Sequence, residues 1–249
     1  MNTVARLDSI VRALLDQLHN HPFGKRLCAG NVTREEYVAF LVQTYHYVLH
    51  TRPLLARAGE RLVHQGKTQL GQLFLHKAEE ESGHEHWIVE DLRAIGENPD
   101  IVQKVKPVPA VQTFVTWNSF VVEHGSPVAL LGAAYVLEAV SSTHAGIVTQ
   151  NLMKESRIRG IEHGVRFLRG HADADIEHIV ALGQAIEAIA TAAEDREDIV
   201  TTARITQSTY AALYTALEER PAAKRSPEEF TFATGTAQSA SRACRLPAY

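Results

Sequence analysis

Hydrophobic residues recur along this chain with the spacing of α-helices. In nearly every segment apolar side chains repeat at intervals of three and four residues, and no stretch shows the strict alternation of a half-buried strand. The pattern predicts helices over 3–19, 33–50 with a continuation to 64 after a kink or break at Pro53, 68–95, 110–123, 127–155, 158–169, 171–193 and 196–219. We therefore expect one all-α domain over 1–220 and a polar C-terminal tail over 221–249.

Composition and charge narrow the expected partners and compartment. The formal net charge is −4 and the basic residues are scattered, which argues against nucleic acid as a partner. The N-terminal helix carries Asp8 and Arg12 within its apolar pattern, unlike a signal sequence. The most apolar stretch contains Glu138 and is too short to span a bilayer, so no membrane partner is expected. The two cysteines, Cys28 and Cys244, lie far apart, which argues against a disulfide framework and favours a cytoplasmic protein.

The most informative motif is His171-x-x-x-Asp175-x-x-His178. On a helix, offsets of four and seven residues place two imidazoles and a carboxylate on one face. Burying such a stripe costs free energy unless a partner satisfies it, and this donor set suits iron, manganese or zinc. The alternative is a solvated, acidic start of a helix, because further carboxylates alternate with Asp175.

A second segment, residues 77–87, offers more than one pair of ligands. Glu81 and His84 are three residues apart, so they would share a helical face. Glu79 and His86 are seven apart and form a competing pair. At least one of the consecutive glutamates in this segment must be solvated.

A third segment contributes Glu138, the one charge in a run of apolar and small residues. Its carboxylate would be a metal ligand, or else a neutral acid hydrogen-bonded beside Tyr135. Three histidines and three carboxylates make up the inventory of a two-metal carboxylate site in a bundle. One ion would take Glu81, His84 and His171, and the other would take Glu138, Asp175 and His178.

These stretches resemble a known family. Residues 40–62, 79–96 and 130–142, together with the His171 motif, are similar to the heme-oxygenase-like diiron oxidases and oxygenases. Their superfamily also contains thiaminase II and pyrroloquinoline-quinone synthase. The resemblance covers about 5–218 and implies a heme-oxygenase-like helical bundle. It carries over Glu138, His171, Asp175 and His178 as metal ligands. It leaves two choices in the first ligand segment, of which Glu81/His84 fits better than Glu79/His86.

The resemblance implies an O2-activating non-heme diiron enzyme with two Fe ions per chain and O2 as co-substrate. It would use an external electron donor and a small amino-acid-like or fatty-acid-like substrate. The reaction would be N-oxygenation, C–C cleavage or desaturation.

The metal-free relatives imply an alternative, in which Glu138 is a general acid or base of a quinone-synthase or thiaminase II type. The thiaminase II type uses a cysteine nucleophile, and Cys28 is expected in a loop. His46, His50 and Tyr135 are candidates for a substrate pocket, with packing as their other role. Bundles of this kind often dimerise, so a homodimer is one expected oligomeric state.

Overall fold

The structure, a computed structural model, describes residues 2–172, 176–189 and 192–220, without the side chains of 176–178 and 189. All regular structure in these ranges is helical. The α-helices are α1 Thr3–Asn20, α2 Pro22–Cys28, α3 Arg34–His64, α4 Thr68–Glu80, α5 His84–Ala94, α6 Ile101–Lys104, α7 Pro109–Glu123, α8 Leu130–Glu155, α9 Arg166–Ala172, α10 Ile176–Ile189 and α11 Ala193–Glu218. Two 3-10 helices, Pro127–Ala129 and Ile161–His163, precede α8 and α9. The all-α prediction is confirmed, and the tail over 221–249 lies outside the described residues.

Local sequence signals explain where the longest helix begins. Thr33 and Glu36 form a capping box: Thr33 Oγ1 accepts from the Glu36 N–H at 3.2 Å, and Glu36 Oε2 accepts from the Thr33 N–H at 2.8 Å. The sequence predicts a kink or a break at Pro53, but α3 continues through this residue without a break. Proline has no N–H to donate to the carbonyl of Leu49, and Leu49 lies on the exposed side of the helix, 43% accessible.

Two further elements differ from the sequence expectation. The predicted helix over 68–95 is divided into α4 and α5, because residues 81–83 form a turn in which Gly83 takes a left-handed φ of 87°. Cys28 does not lie in a loop: it ends α2 and is buried. Pro22 explains this short helix, since its fixed φ favours the first helical position directly after α1.

Helix α8 runs through the middle of the bundle. It packs against α1, α2, α9, α10 and α11, while α3 packs against α4, α5 and α7 on the other side. The approach of α8 to α11 is close: a Cβ added at Gly132 would lie 2.0 Å from the carbonyl oxygen of Ile199. Glycine at 132 therefore sets the separation of the two longest core helices on this side.

The segment Pro127–Glu155 is long and apolar enough to cross a membrane by length and composition alone. In this bundle 67% of its most apolar window is buried against other helices. That is the environment of a core helix in a soluble helical domain, which passes the same test of length and hydropathy.

Candidate metal centre and cavity

A largely apolar cavity of about 150 Å³ lies between α3, α4, α7, α8, α9 and α11. Its apolar lining includes Leu54, Leu55, Phe114, Leu130, Leu137 and Phe167. Charged and imidazole side chains reach it from three helices and one turn: Lys77, Glu81, Glu138, His144 and His171. A few convergent polar groups in an apolar pocket are the usual composition of a small-molecule site.

Glu81, His84 and His171 come together at one end of this cavity. One potential ligand atom from each lies within 4.8 Å of the other two. Glu81 directly follows α4, His84 opens α5, and His171 lies near the end of α9. These are the three residues assigned to the first ion by the sequence, although the turn at 81–83 replaces the continuous helix expected there.

Hydrogen bonds orient both imidazoles in the same sense. His84 Nδ1 lies 3.0 Å from Glu81 Oε2, and His171 Nδ1 lies 2.9 Å from the carbonyl oxygen of Phe167. Both acceptors favour a proton on Nδ1, so the neutral rings carry their lone pair on Nε2. A partner of this kind on one ring nitrogen commonly orients histidines that bind metals through the other.

Aromatic side chains hold the two rings in place. Trp87 stacks on His84 with ring centroids 4.1 Å apart, and Phe167 lies against His171 at 4.3 Å. The rings of His84 and His171 are themselves 4.9 Å apart, edge to face. These contacts pack part of the surface of each imidazole against another ring and reduce its freedom to rotate.

Burial and charge shift the titration of this cluster in favour of metal binding. Burial raises the pKa of Glu81, but the hydrogen bond from His84 and the charges of His84, His171 and Lys77 outweigh it, and the pKa ends below its usual value. Burial lowers the pKa of His171 despite the opposing effect of Glu81. An ionised carboxylate beside a neutral imidazole is the protonation state that metal ligation requires.

Asp91 ties the His84 helix to the His171 helix. This α5 side chain is fully buried, and its two oxygens accept the backbone N–H groups of Arg166 and Phe167 at 2.7 and 2.9 Å. The first turn of α9 therefore has its free donors satisfied by α5. Burial raises the pKa of Asp91 to about 6, against the lowering effect of the two backbone donors.

Glu138 also lines the cavity and pairs with Lys77. Glu138 Oε1 is 2.8 Å from Lys77 Nζ, and Glu138 Oε2 is buried with no hydrogen-bond partner among the described residues. Burial lowers the pKa of Lys77, but the carboxylates of Glu138 and Glu80 outweigh burial, and the pKa ends above its usual value. Lys77 is therefore an ammonium that pairs with Glu138 at the wall of an apolar space.

The donor set fits an iron-type ion. Carboxylate and neutral imidazole are the ligands that non-heme iron prefers, and Glu81, His84 and His171 supply both types with ligand atoms within 4.8 Å of one another. The unpartnered oxygen of Glu138 is a further free acceptor on the same cavity. Asp175 and the side chain of His178, predicted for the second ion, lie outside the described residues.

Other predicted site residues lie apart from this cluster. Glu79 and His86 are both exposed, and His86 pairs with its neighbour Glu85 at 3.1 Å. His46 Nε2 lies 2.7 Å from the Val105 carbonyl oxygen.

The remaining pocket candidates also lie off the cavity. His50 is exposed, and Tyr135 donates to Asp8 Oδ1 at 2.6 Å. Within the described part of the chain, none of His46, His50 and Tyr135 lines the cavity, which instead takes Tyr47 from α3 and Tyr210 from α11.

Comparison with known families agrees with this donor set. A family model described as "Iron-containing redox enzyme" matches residues 38–211, well over half of the chain. The chain belongs to this family of iron-containing redox enzymes. The match spans all four described members of the ligand set, from Glu81 to His171. No curated protein matches this member of the family.

Solved structures show the fold of this iron-containing redox enzyme. A domain of unknown function with a heme oxygenase-like fold from Shewanella denitrificans OS217 is 22% identical, with a TM-score of 0.74, covering 88% of this chain and 92% of that one. TenA homologues from Pseudomonas syringae pv. tomato DC3000 and P. horikoshii OT3 are 11% and 12% identical, with TM-scores of 0.71 and 0.69. They cover 87% of this chain and 93% and 98% of theirs. The heme-oxygenase-like fold predicted by resemblance is thereby confirmed.

The sequence patterns did not predict three residues of the enzyme's site. Lys77 precedes Glu81 by one helical turn and Asp91 follows His84 by seven residues, so helical spacing places each on the face of a predicted ligand. His144 lines the cavity and its Nε2 lies 2.9 Å from His19 Nε2; burial, with the charge of His19, lowers the pKa of His144 to about 4. The place of His144 in the site becomes clear only from its contact with α1, and no local sequence pattern predicts that contact.

Proposed function

We propose that this iron-containing redox enzyme is an O2-activating non-heme diiron oxidase or oxygenase acting on a small amino-acid-like or fatty-acid-like substrate. The observation that carries the proposal is the cluster of Glu81, His84 and His171, whose ligand atoms lie within 4.8 Å beside an apolar cavity. These three would hold one ion, and Glu138 would hold the other with Asp175 and His178. N-oxygenation, C–C cleavage and desaturation are the reactions that the resemblance implies.

The residues of the chain have definable tasks in this chemistry. Iron, when bound, supplies the binding and reduction of O2, with electrons from an external donor. The Nδ1 hydrogen bonds of His84 and His171 fix the rings so that Nε2 is the donor atom. The apolar walls exclude water, and a cavity of this size accommodates a benzene-sized ring or a short alkyl segment, on the order of 150 Å³. The substrate, the electron donor and the cytoplasmic setting belong to the proposal.

Metal binding by single variants tests the proposal. Anaerobic calorimetric titration of chelator-treated protein with Fe(II) should show tight binding to wild type. His84→Ala and His171→Ala should each weaken the tightest site by at least about tenfold, or ~1.4 kcal/mol, because each removes one of three ligands. His86→Ala is the matched control, since that imidazole is exposed two residues from His84.

The possible results separate the ligand assignments. Loss of binding in His86→Ala with retention in His84→Ala would assign the site to Glu79 and His86 instead. A wild-type protein that binds no Fe(II), or consumes no more O2 in the ferrous form than free iron does, would overturn the proposal. Circular dichroism of each variant checks that the fold is retained.

A second candidate function is the metal-independent one, in which Glu138 is the general acid or base. The observation in its favour is that Lys77 Nζ lies 2.8 Å from the Glu138 carboxylate and that both side chains line the cavity, where a bound substrate would meet them. Thiamine hydrolysis in the presence of EDTA, abolished by Glu138→Gln, would support it. Within the described residues, however, Cys28 does not line the cavity, so the cysteine nucleophile of the thiaminase II type has no counterpart there.

A further inference from the structure

Lys77 is the only lysine or arginine among the described residues that line the cavity. Its side chain is 18% exposed, and that of its partner Glu138 is 21% exposed, so most of both groups is removed from bulk water. Lys77 Nζ lies 2.8 Å from Glu138 Oε1 and 3.5 Å from Glu80 Oε2. A charge this sheltered is costly without a counter-charge, so the ion pair stabilises Glu138 in its present position.

The two groups of predicted ligands therefore differ in how ready they are to bind a metal ion. Potential ligand atoms of Glu81, His84 and His171 already lie within 4.8 Å of one another, and none of the three forms an ion pair with a lysine or arginine among the described residues. Glu138 has one oxygen bound to an ammonium and the other buried without a partner. A divalent ion that seeks Glu138 must first displace the ammonium that pairs with this carboxylate. An ion entering the first group breaks no such pair, although the charge of Lys77 also acts on Glu81.

We propose that Lys77 controls the order of metal loading, by holding Glu138 so that the Glu81–His84–His171 group fills first and the Glu138 site fills only after the Lys77–Glu138 pair opens. This inference rests on the proposed function, because it concerns the second ion of that same site. Lys77 acts here through Glu138 and is a positioning residue. Removing its ammonium leaves the carboxylate free for the second ion.

Titration with Mn(II) tests the inference without any assay of turnover. Wild-type protein should bind one equivalent tightly and a second more weakly, as followed by calorimetry and by the electron paramagnetic resonance signal of free Mn(II). Lys77→Met, which keeps the length of the side chain, should tighten the second equivalent by at least about tenfold and change the first by less than about threefold. Lys77→Gln, which keeps a hydrogen-bond donor without the charge, should give an intermediate shift.

Two controls separate a specific effect from general electrostatics and from loss of fold. Lys67→Met removes a lysine from an ion pair with Asp195, 2.9 Å long and remote from the cavity lining, and should leave both affinities unchanged. Glu138→Gln should abolish the second binding event in both the wild-type and the Lys77→Met background. Thermal denaturation of every variant identifies any that do not fold, and Lys77→Gln then replaces Lys77→Met.

Each result supports the inference or overturns it. An unchanged second affinity in Lys77→Met, or an equal change in both affinities, overturns the role of Lys77 while the metal site itself stands. Equal first and second affinities in wild type do the same. Failure of wild type to bind any Mn(II) or Fe(II) overturns both this inference and the proposed function.

Discussion

Asp91 connects the two histidine-bearing helices through a single side chain. Its carboxylate accepts the Arg166 and Phe167 N–H groups, and Phe167 in turn contacts the His171 ring. The residue is buried with a pKa raised to about 6 from 3.8, so burial of the charge outweighs the two donors. The position of His171 thus depends on an acid that the fold stabilises in its neutral form.

Asp91→Asn should reveal this in the pH dependence of stability. A folded pKa above the unfolded value means that the stabilising contribution is complete below pH 3.8 and is lost as the pH rises through about 6. Asparagine does not titrate. The free energy of unfolding of the variant, relative to wild type, should therefore move in favour of asparagine by up to ~3 kcal/mol between about pH 4 and pH 7.

Urea denaturation of both proteins across this range measures the difference, and all other titrating groups cancel. A difference that is constant with pH would show that Asp91 titrates normally. A difference that moves towards aspartate as the pH rises would show that the backbone donors, and not burial, dominate its pKa.

For individual residues, the sequence predicts the metal ligands better than it predicts the residues that hold those ligands in place. Glu81, His84, Glu138 and His171 were proposed from residue type and spacing, and the structure places all four near one cavity. Lys77 was not proposed, because a lysine one turn before Glu81 looks like part of a solvated charge run. Its burial becomes visible only when α8 brings Glu138 against it.

The turn between α4 and α5 gives the first ligand group its geometry. Helical periodicity continues through 81–83, so the sequence predicts one helix, but Gly83 with a φ of 87° turns the chain between Glu81 and His84. The two side chains still meet at 3.0 Å. The apolar spacing identifies the buried face of both helices. It does not reveal the turn, because the spacing continues through the turn unchanged.

Gly83→Ala should weaken metal binding through this turn. A side chain at a left-handed φ costs about 1–2 kcal/mol, and alanine would favour a helical φ that moves α5 relative to Glu81. We expect a loss of stability of that size and an affinity for the first Mn(II) that is lower by at least about threefold.

Gly66→Ala is the matched control. Its φ is 79° and a Cβ there would meet nothing within 4 Å, so the backbone strain is similar, but it follows α3 and lies outside the cavity lining. It should lose similar stability with unchanged metal affinity. Equal affinities in the two variants would show that the turn at Gly83 does not position His84.

For the molecule as a whole, the close approach of α8 and α11 is one of the tight constraints on the bundle. Apolar periodicity predicted both helices within a few residues of their ends, and the resemblance supplied the architecture in which they pack. Their separation could not be predicted, because it depends on a glycine facing a carbonyl of another helix. In the sequence, Gly132 looks like any other small residue in a helix.

Gly132→Ala should destabilise the whole fold. An added methyl group would lie 2.0 Å from the Ile199 oxygen, so the two helices must move apart, at a cost of ~1–3 kcal/mol. Gly146→Ala in the same helix is the control, since its Cβ would meet Ala172 at an ordinary 3.7 Å.

The control should be neutral or more stable by up to ~1 kcal/mol, from helix propensity alone. Thermal denaturation monitored by circular dichroism compares the two variants. Equal melting temperatures would contradict the close crossing.

Of the three residues in the first group, Glu81 directly follows α4 and His84 opens α5, so two of them lie at helix ends. Helix ends fray more readily than helix centres, so these side chains can approach a common point with little distortion of the bundle. A cation held by all three joins parts of the chain that are far apart in sequence, in the manner of a cross-link that closes a long loop. A metal ion bound to the first group then also stabilises the tertiary structure, and the cell's supply of metal would govern how long the folded protein survives.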